Sequence, residues 1–460
     1  IDTTPGVTLS LGVLWLDAGG QRLGSVVLDP LRNLTAEPPA GTVKARLGLR
    51  ALGSGSCEIR SVGLSHRDLS PGEVLDRSRV LVLSNHYPSY SDLYRNGFLH
   101  SRVRCYSAHG LRPSVFRLRD NQALSFDEFE NIDVITADAG ALDLMLSRGH
   151  YDTVAVHFLS PAMWEVLKRH IDRVRVVVWA HGVEIQPWTR RRFNFPTAEA
   201  IERARPESDA RMAFWRGILR DRHPNLKMVF VSRQLAETVM EDLGFRIDPE
   251  GFEVIHNPID TGIFQYVPKT AEQRRDILMI RPFASPVYAN DLAVKAIGLL
   301  SEKPFFQDLN FRIFGDGPLY DETVAPIEGL PNVELNRAFL THAEIAEQHR
   351  QAGIFLVPSR LDTHGVSRDE AMASGLVPVT SIAGAIPEFV DESCGILTPY
   401  EDAQALADAI ERLYHDPELF LRLSEAAAKR VRAQSDAGLI IGREVAVLKP
   451  VPGNPEKDQG

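Results

Sequence analysis

The residues best suited to chemistry lie in one short stretch: the carboxylates Asp362 and Glu370, with His364 and Gly365 between them. A glycine without Cβ lets main chain come close to a phosphate. If Val366, Ser367 and Arg368 open a helix, their N–H groups have no acceptor in a preceding turn and meet an anion with the helix dipole behind them. Asp362 can accept hydrogen bonds from sugar hydroxyls beside that phosphate. Glu370 can accept a pair from a ribose diol, as an acidic residue does in dinucleotide sites. Such a set suits an anionic, hydroxyl-rich ligand. The same residues also fit a plain crossover with a loop carboxylate and a solvated helix face. The small-residue end Ser374-Gly375 and the strand-like Leu376-Val377-Pro378-Val379 after it favour the ligand site.

These residues need a strand before them and a helix under them. Ile354 to Val357 is a short apolar run of the kind buried on both faces of a parallel sheet, and Pro358 ends it. Ligands of open α/β sheets sit beyond the carboxyl ends of strands, which is where Ser359 to Ser367 falls. Further strands are predicted at Val80 to Ser84, Ser114 to Arg117, Ile132 to Ile135, Val154 to Phe158, Val174 to Trp179, Met228 to Ser232 and Asp276 to Ile280. Others are predicted at Phe311 to Phe314, which runs into Gly315-Asp316-Gly317, and at Val333 to Leu335. The fold class is therefore α/β. Residues 1–70 differ: apolar and polar residues alternate in Val7 to Leu14, Ser25 to Leu28, Thr42 to Leu49 and Cys57 to Leu64, separated by turn signals. That is a small all-β segment, similar to part of a carbohydrate-binding jelly roll, and it serves either as a sugar-binding unit or as a packing appendage.

At 460 residues and 44% apolar, the chain is long enough for two or three domains. A formal charge of −10 without a sizeable basic run argues against a nucleic-acid partner. Apolar runs are strand-sized, too short to cross a membrane. Cys57, Cys105 and Cys394 show no paired spacing and suit a reducing compartment. No cluster of metal-ligand spacing is seen, so no metal and no cofactor are expected. The start at Ile1, without methionine or a signal-like segment, is what a fragment would show.

Residues from about Arg274 to Val431 resemble the nucleotide-binding domain of family 4 glycosyltransferases, retaining enzymes with the GT-B fold. The resemblance rests on Asp362, seven residues, then Glu370-Ala371-Met372-Ala373-Ser374-Gly375 and Pro378-Val379. It continues with Pro387-Glu388-Phe389-Val390 and with Gly395, Leu397 and Pro399. Ala180-His181-Gly182-Val183-Glu184 is similar to the family's segment at the cleft floor, and Arg281 to the arginine that grips the diphosphate. Several positions depart from the pattern. Asp362 stands where the family has glutamate, Thr363-His364 where it has Gly-Phe, and Tyr288-Ala289-Asn290-Asp291 where a lysine is usual. The double glycine expected near Gly97 is absent.

The resemblance implies a GT-B architecture of two Rossmann-like domains facing a cleft: 73–260 for the acceptor and 272–432 for the nucleotide sugar, with 433–460 as the last helix end and tail. It implies a metal-independent, retaining hexosyl- or deoxyhexosyltransferase. The donor is a nucleotide-diphosphate sugar and the acceptor a saccharide or a lipid-linked molecule. The setting is the cytoplasm or the inner face of its membrane, in surface polysaccharide or glycoconjugate synthesis. Catalytic roles fall to His181, Arg281 and Asp362. Donor binding falls to Arg281, Asp362, His364, Gly365, Val366, Ser367 and Glu370. Weaker acceptor assignments are Asn96, Gly97 and Glu184, which also read as a helix-adjacent turn and a loop solvation residue. The basic and aromatic cluster Trp188, Arg190, Arg191, Arg192, Phe193 and Phe195 fits an anionic acceptor at a membrane surface, or a solvated helix pair over the sheet. Two other classes stay open, a non-catalytic carbohydrate-binding protein and a nucleotide-sugar epimerase of the same fold.

Overall fold

The computed structural model describes residues 2–3, 8–28, 37–52, 57–58, 78–89, 96–122, 124–129 and 132–449. The expected linker Asp68 to Gly72 and the tail from 450 onward lie outside the described residues. The chain divides into two compact units, 1–156 with 162–174, and 157–161 with 175–460.

In the first unit, Thr8–Leu16 pairs antiparallel with Arg22–Leu28 and with Lys44–Leu52. The alternation seen in the sequence puts Val13 and Trp15 on the buried face. Asp2–Thr3 pairs separately with Cys57–Glu58. The α/β part of this unit orders its strands as Thr153–His157, Val80–Ser84, Ser114–Leu118, Ile132–Ala137 and Ser125–Phe129. The last of these was not expected. It runs antiparallel to Ile132–Ala137 at the sheet edge, and its central Asp127-Glu128 masks the strand pattern. The helix Gly97–Ala108 follows the first strand.

The second unit begins with three parallel strands, Arg175–Ala180, Leu226–Phe230 and Phe252–Val254. Between them lie the helices Ala198–Arg220 and Arg233–Leu243, the latter opened by Ser232, whose hydroxyl accepts from the Leu235 amide at 3.1 Å. A six-stranded parallel sheet follows. Its spatial order is Val333–Asn336, Asn310–Phe314, Asp276–Ile280, Ile354–Leu356, Val377–Ser381, Ile396–Thr398. In chain order that is 3-2-1-4-5-6, the doubly wound arrangement, and strand order reverses between Asp276–Ile280 and Ile354–Leu356.

Helices Asn290–Ser301 and Ala403–His415 join the sheet in one apolar core around Ile277, Ile297, Ile313, Leu356 and Ile410. The near-continuous apolar strands are what a sheet covered on both faces requires. After the helix Pro417–Gln434 the chain returns to the first three strands. Ile259 bridges to Asp436, and Arg443, on the last helix Ala437–Leu448, donates to the Val254 carbonyl at 2.8 Å.

Candidate functional site

Arg281 is the first residue past Asp276–Ile280, and Pro358-Ser359 follow Ile354–Leu356, so both sides of the switch point carry candidate residues. The Arg281 guanidinium crosses that gap. It donates to Ser359 Oγ at 2.7 Å, to the Pro358 carbonyl at 3.4 Å and to Ser367 Oγ at 3.3 Å. It lies over the Tyr288 ring with Cζ 4.9 Å from the centroid. The side chain is 6% exposed, its Nε has no partner, and no carboxylate pairs with it among the described residues. Burial lowers its pKa, and the charge of nearby Asp362 works the other way. A buried cation held only by neutral oxygens is stabilised by an anion.

The arginine is aimed by its neighbours' main chain. Its amide donates to the Phe314 carbonyl at 3.0 Å, and Phe283 donates to Asp316 at 2.9 Å. A Cβ on Gly315, at φ 155°, would sit 1.9 Å from the Arg281 carbonyl oxygen, so this position admits no side chain. The Gly315-Asp316-Gly317 turn thus serves as a buttress for the Arg281 loop.

On the facing side, Gly365 sits at φ 89° and opens the helix Val366–Ala373. Among the described residues, the amides of Val366, Ser367 and Arg368 find no acceptor, while the Asp369 amide already bonds to Gly365 at 3.0 Å. Ser367 and Glu370 lie three residues apart on this helix and share a face. The bond from Arg281 to Ser367 shows that this face meets the arginine. Glu370 keeps partial exposure, and nothing among the described residues donates a hydrogen bond to its carboxyl group. Desolvation by the surrounding protein, with the charge of Asp369 added, pushes its pKa up to about 8.

His364, expected to touch a donor, cannot do so with its ring. The residue is 1% exposed. Nδ1 accepts from the Asn257 amide at 2.9 Å, which leaves the proton on Nε2 to bond Asp369 at 3.0 Å, and the ring stacks on Phe389 at 4.2 Å. Burial lowers its pKa and favours this neutral form. Asp369 also takes two bonds from Arg368, at 3.0 and 2.7 Å. Burial pushes the Asp369 carboxyl up, but Arg368 and His364 outweigh it and hold it below the usual range. Only the main-chain N–H of His364 faces the candidate residues, donating to Asp362 Oδ1 at 3.0 Å.

His181 follows the strand Arg175–Ala180. Its Nε2 bonds His157 Nδ1 at 3.0 Å, and its ring lies 4.8 Å from that of Phe158. Its carbonyl accepts from Thr363 Oγ1 at 2.7 Å, which joins the His181 loop to the Asp362 loop. Gly182, at φ 129°, makes that approach achievable, since a Cβ there would stand 2.7 Å from Thr363 Cγ2. Glu184, read from sequence as an acceptor contact, turns inward instead: Oε1 accepts from the His181 amide, and Oε2 is buried without a partner. Burial pushes its carboxyl up against the pull of the loop amides. Its place is that of a loop brace.

Asn96 and Gly97 belong to the first unit, where Asn96, at φ 60°, donates to the His86 carbonyl at 3.2 Å and Gly97 starts a helix. The second unit therefore brings together Arg281, Asp362, Gly365, Val366, Ser367 and Glu370, with His181 joined through Thr363. Sequence reasoning placed Ser359 beside the ligand without giving it a role, and missed His157. It quoted Glu388 without its work, which is to accept from the Arg233 and Gln234 amides at 3.0 Å each and so cap the helix Arg233–Leu243.

Residues 274–416 match the family model described as glycosyl transferases group 1. An MMP alpha-(1->4)-mannosyltransferase of Mycolicibacterium hassiacum is 27% identical over 207 residues, 44% of this chain and 49% of that protein. The match thus spans about half the length of this curated relative. Among solved structures, a sucrose-phosphate synthase from Thermosynechococcus elongatus superposes with a TM-score of 0.60 at 16% identity, covering 81% of this chain and 98% of the other. Anabaena HepE, in complex with UDP and glucose, gives 0.57 at 16% identity, over 80% and 99%. At such identities the likeness is one of fold. The six-stranded sheet and the residues gathered at its switch point fall within the residues that match the glycosyl transferases group 1 model.

Proposed function

We propose that this chain is a retaining glycosyltransferase that moves a sugar from a nucleotide-diphosphate sugar to a hydroxyl of a saccharide or lipid-linked acceptor. The observation that carries the reading is the buried guanidinium of Arg281, paired with no carboxylate among the described residues, facing open helix amides across the switch point, with Glu370, unbonded among those residues, on the same helix face. The amides of Val366 and Ser367 and the Arg281 guanidinium receive the diphosphate, and Glu370 takes the ribose hydroxyls.

When the bond from anomeric carbon to phosphate oxygen breaks, negative charge gathers on the diphosphate and positive character on the carbon. Arg281 and the amides are already oriented toward the first, so the site reorganises little as charge develops. The acceptor oxygen attacks from the face the phosphate leaves, and its proton passes to a departing phosphate oxygen. Asp362 and His181 orient the transferred sugar through its hydroxyls, and His364 positions the loop. The UDP in the HepE structure makes UDP the first nucleotide to try. A lipid-linked acceptor at the inner face of a membrane belongs to this reading; among the described residues no helix is long and apolar enough to cross one.

Calorimetry with a panel of nucleoside diphosphates tests the proposal. One or more should bind, and Glu370→Ala should weaken it. A protein that binds none of them is not a glycosyltransferase of this kind. Labelled donor incubated without acceptor separates transfer from epimerisation, which would yield an epimeric nucleotide sugar.

A further inference from the structure

The basic and aromatic cluster after Trp188 finds a place in the structure that the donor site does not use. Trp188–Asn194 forms a 3-10 turn, and the following Phe195 sets its ring edge-on to Trp188 at 6.4 Å. Beside it is a pocket of ≈650 Å3 lined by Arg192, Phe193 and Phe195 on one side and by Ile382, Gly384 and Tyr400 on the other. Its volume is within the range of small-molecule sites, and it is open to solvent with a mixed polar and apolar lining. Ile382 and Tyr400 are each 50% exposed.

Charge singles out one residue. Arg190 and Arg360 also line the pocket, but both are committed. Arg190 bonds Asp242 and Glu241 at 3.1 and 3.0 Å, and Arg360 bonds Asp291 at 2.8 and 2.9 Å and also Glu401. Among the described residues, the Arg192 guanidinium meets neither a carboxylate nor any other acceptor. Gly384 fixes where the pocket lies: a Cβ on it would stand 2.2 Å from the Asp362 carbonyl oxygen, and the Ala385 amide donates to that oxygen at 2.8 Å. The pocket wall is therefore the back of the Asp362 loop.

We propose that this pocket receives the acceptor, that the acceptor carries a phosphate monoester or diester, and that Arg192 reads it while the aromatic wall takes a sugar or alkyl face. The proposal rests on the glycosyltransferase reading. A guanidinium matches phosphate geometry with two parallel N–H donors, and the aromatic residues supply area without competing charge.

The test uses calorimetry with the full chain held at saturating UDP. The probes are glucose against glucose 6-phosphate, and glycerol 3-phosphate against dihexanoyl phosphatidylglycerol. Glucose 6-phosphate should bind about tenfold more tightly than glucose, as one charge-assisted contact near the surface allows. Arg192→Ala should abolish that preference and Arg192→Lys keep part of it, with UDP affinity and thermal midpoint unchanged because the residue is exposed. The second pair decides the source: tighter phosphatidylglycerol binding points to a lipid-linked phosphate, and tighter glycerol 3-phosphate binding to a soluble one. Equal binding of glucose and glucose 6-phosphate, binding of neither, or a preference that survives Arg192→Ala overturns the proposal. Failure of UDP and every other nucleoside diphosphate to bind the unmodified chain overturns the underlying reading instead.

Discussion

Glu370 offers the sharpest quantitative test, because its ionisation and its proposed ligand contact are linked. Its carboxyl group is protonated at neutral pH, with a pKa pushed up to about 8 by burial and by Asp369. A carboxylate gripping a ribose diol makes two charge-assisted hydrogen bonds, worth about 3 kcal/mol together after competition with water. At about pH 7 the group must first lose its proton, one unit below its pKa, at about 1.4 kcal/mol. The remainder of about 1.6 kcal/mol corresponds to about a fifteenfold difference in Kd between the unmodified protein and Glu370→Ala. Near pH 9 the proton is already gone, and the difference grows to about 150-fold. The assay is calorimetric titration with UDP, or with whichever diphosphate binds, across that pH range. Taking the ratio of the two proteins cancels titration of the nucleotide itself. A ratio that stays flat or shrinks as pH rises refutes the placement of Glu370 on the ribose.

Without nucleotide, the same group should act on stability with a defined sign. Its folded pKa is raised, so its contribution is fully present below the ordinary value of 4.5 and is lost as pH rises through about 8; melting curves of the unmodified protein should fall over that window and those of Glu370→Gln should not. Arg281→Ala should lower kcat by about a hundredfold or more with a smaller change in donor Kd, since charge on the leaving diphosphate is greatest in the transition state; equal losses in both would assign the arginine to ground-state binding. Gly182→Ala should cost about 1–3 kcal/mol through its positive φ and its clash with Thr363, and Thr363→Ser, which removes Cγ2 but keeps the hydroxyl, should restore part of the melting temperature. Glu388→Gln should lower stability by about 1 kcal/mol at neutral pH. Burial raises the Glu388 pKa, but His256 and the two capped amides outweigh it and depress the value, so the benefit is present above 4.5 and should fade in melting curves as pH falls through the folded pKa.

The parts of this molecule that the sequence disclosed are those governed by local pattern. Val80–Ser84 and Asp276–Ile280 emerged with the expected bounds because their apolar runs are bracketed by polar turns. Gly365 was legible as a helix opening, since its left-handed φ suits no other residue as well. What escaped depends on long-range partners. Nothing near His364 in the chain indicates that Asn257, 107 residues away, occupies its Nδ1. Glu184 resembles a solvent-facing loop acid until its carboxylate is seen to brace the amide of His181. Ser359 is an unremarkable serine after a proline, and only the arriving Arg281 gives it a purpose.

The difference between the two sides of the Asp362 loop explains how a polar segment can be both rigid and receptive. Beneath it, His364, Arg368 and Asp369 are each about 1% exposed and bonded to one another. Apolar residues of equal volume would stabilise such a place at least as well. A hydrogen-bonded cluster does something a greasy contact does not: it fixes direction, so the amides after Gly365 point one way. Across the loop, and among the described residues, Arg281 and Glu370 lack such partners, one a cation without a carboxylate and the other a carboxyl group without a donor. A fold selected for stability alone would have joined or replaced them. Their separate states make sense if each waits for a different part of one ligand, the diphosphate for Arg281 and the diol for Glu370. Arg281→Ala combined with Glu370→Ala should then weaken nucleotide binding by about the product of the single effects, because the two residues touch distinct groups. If Arg281→Ala alone measurably weakens binding, a double variant no weaker than Glu370→Ala would mean that the guanidinium and the carboxyl act as a single unit, and the division of labour between them would fail.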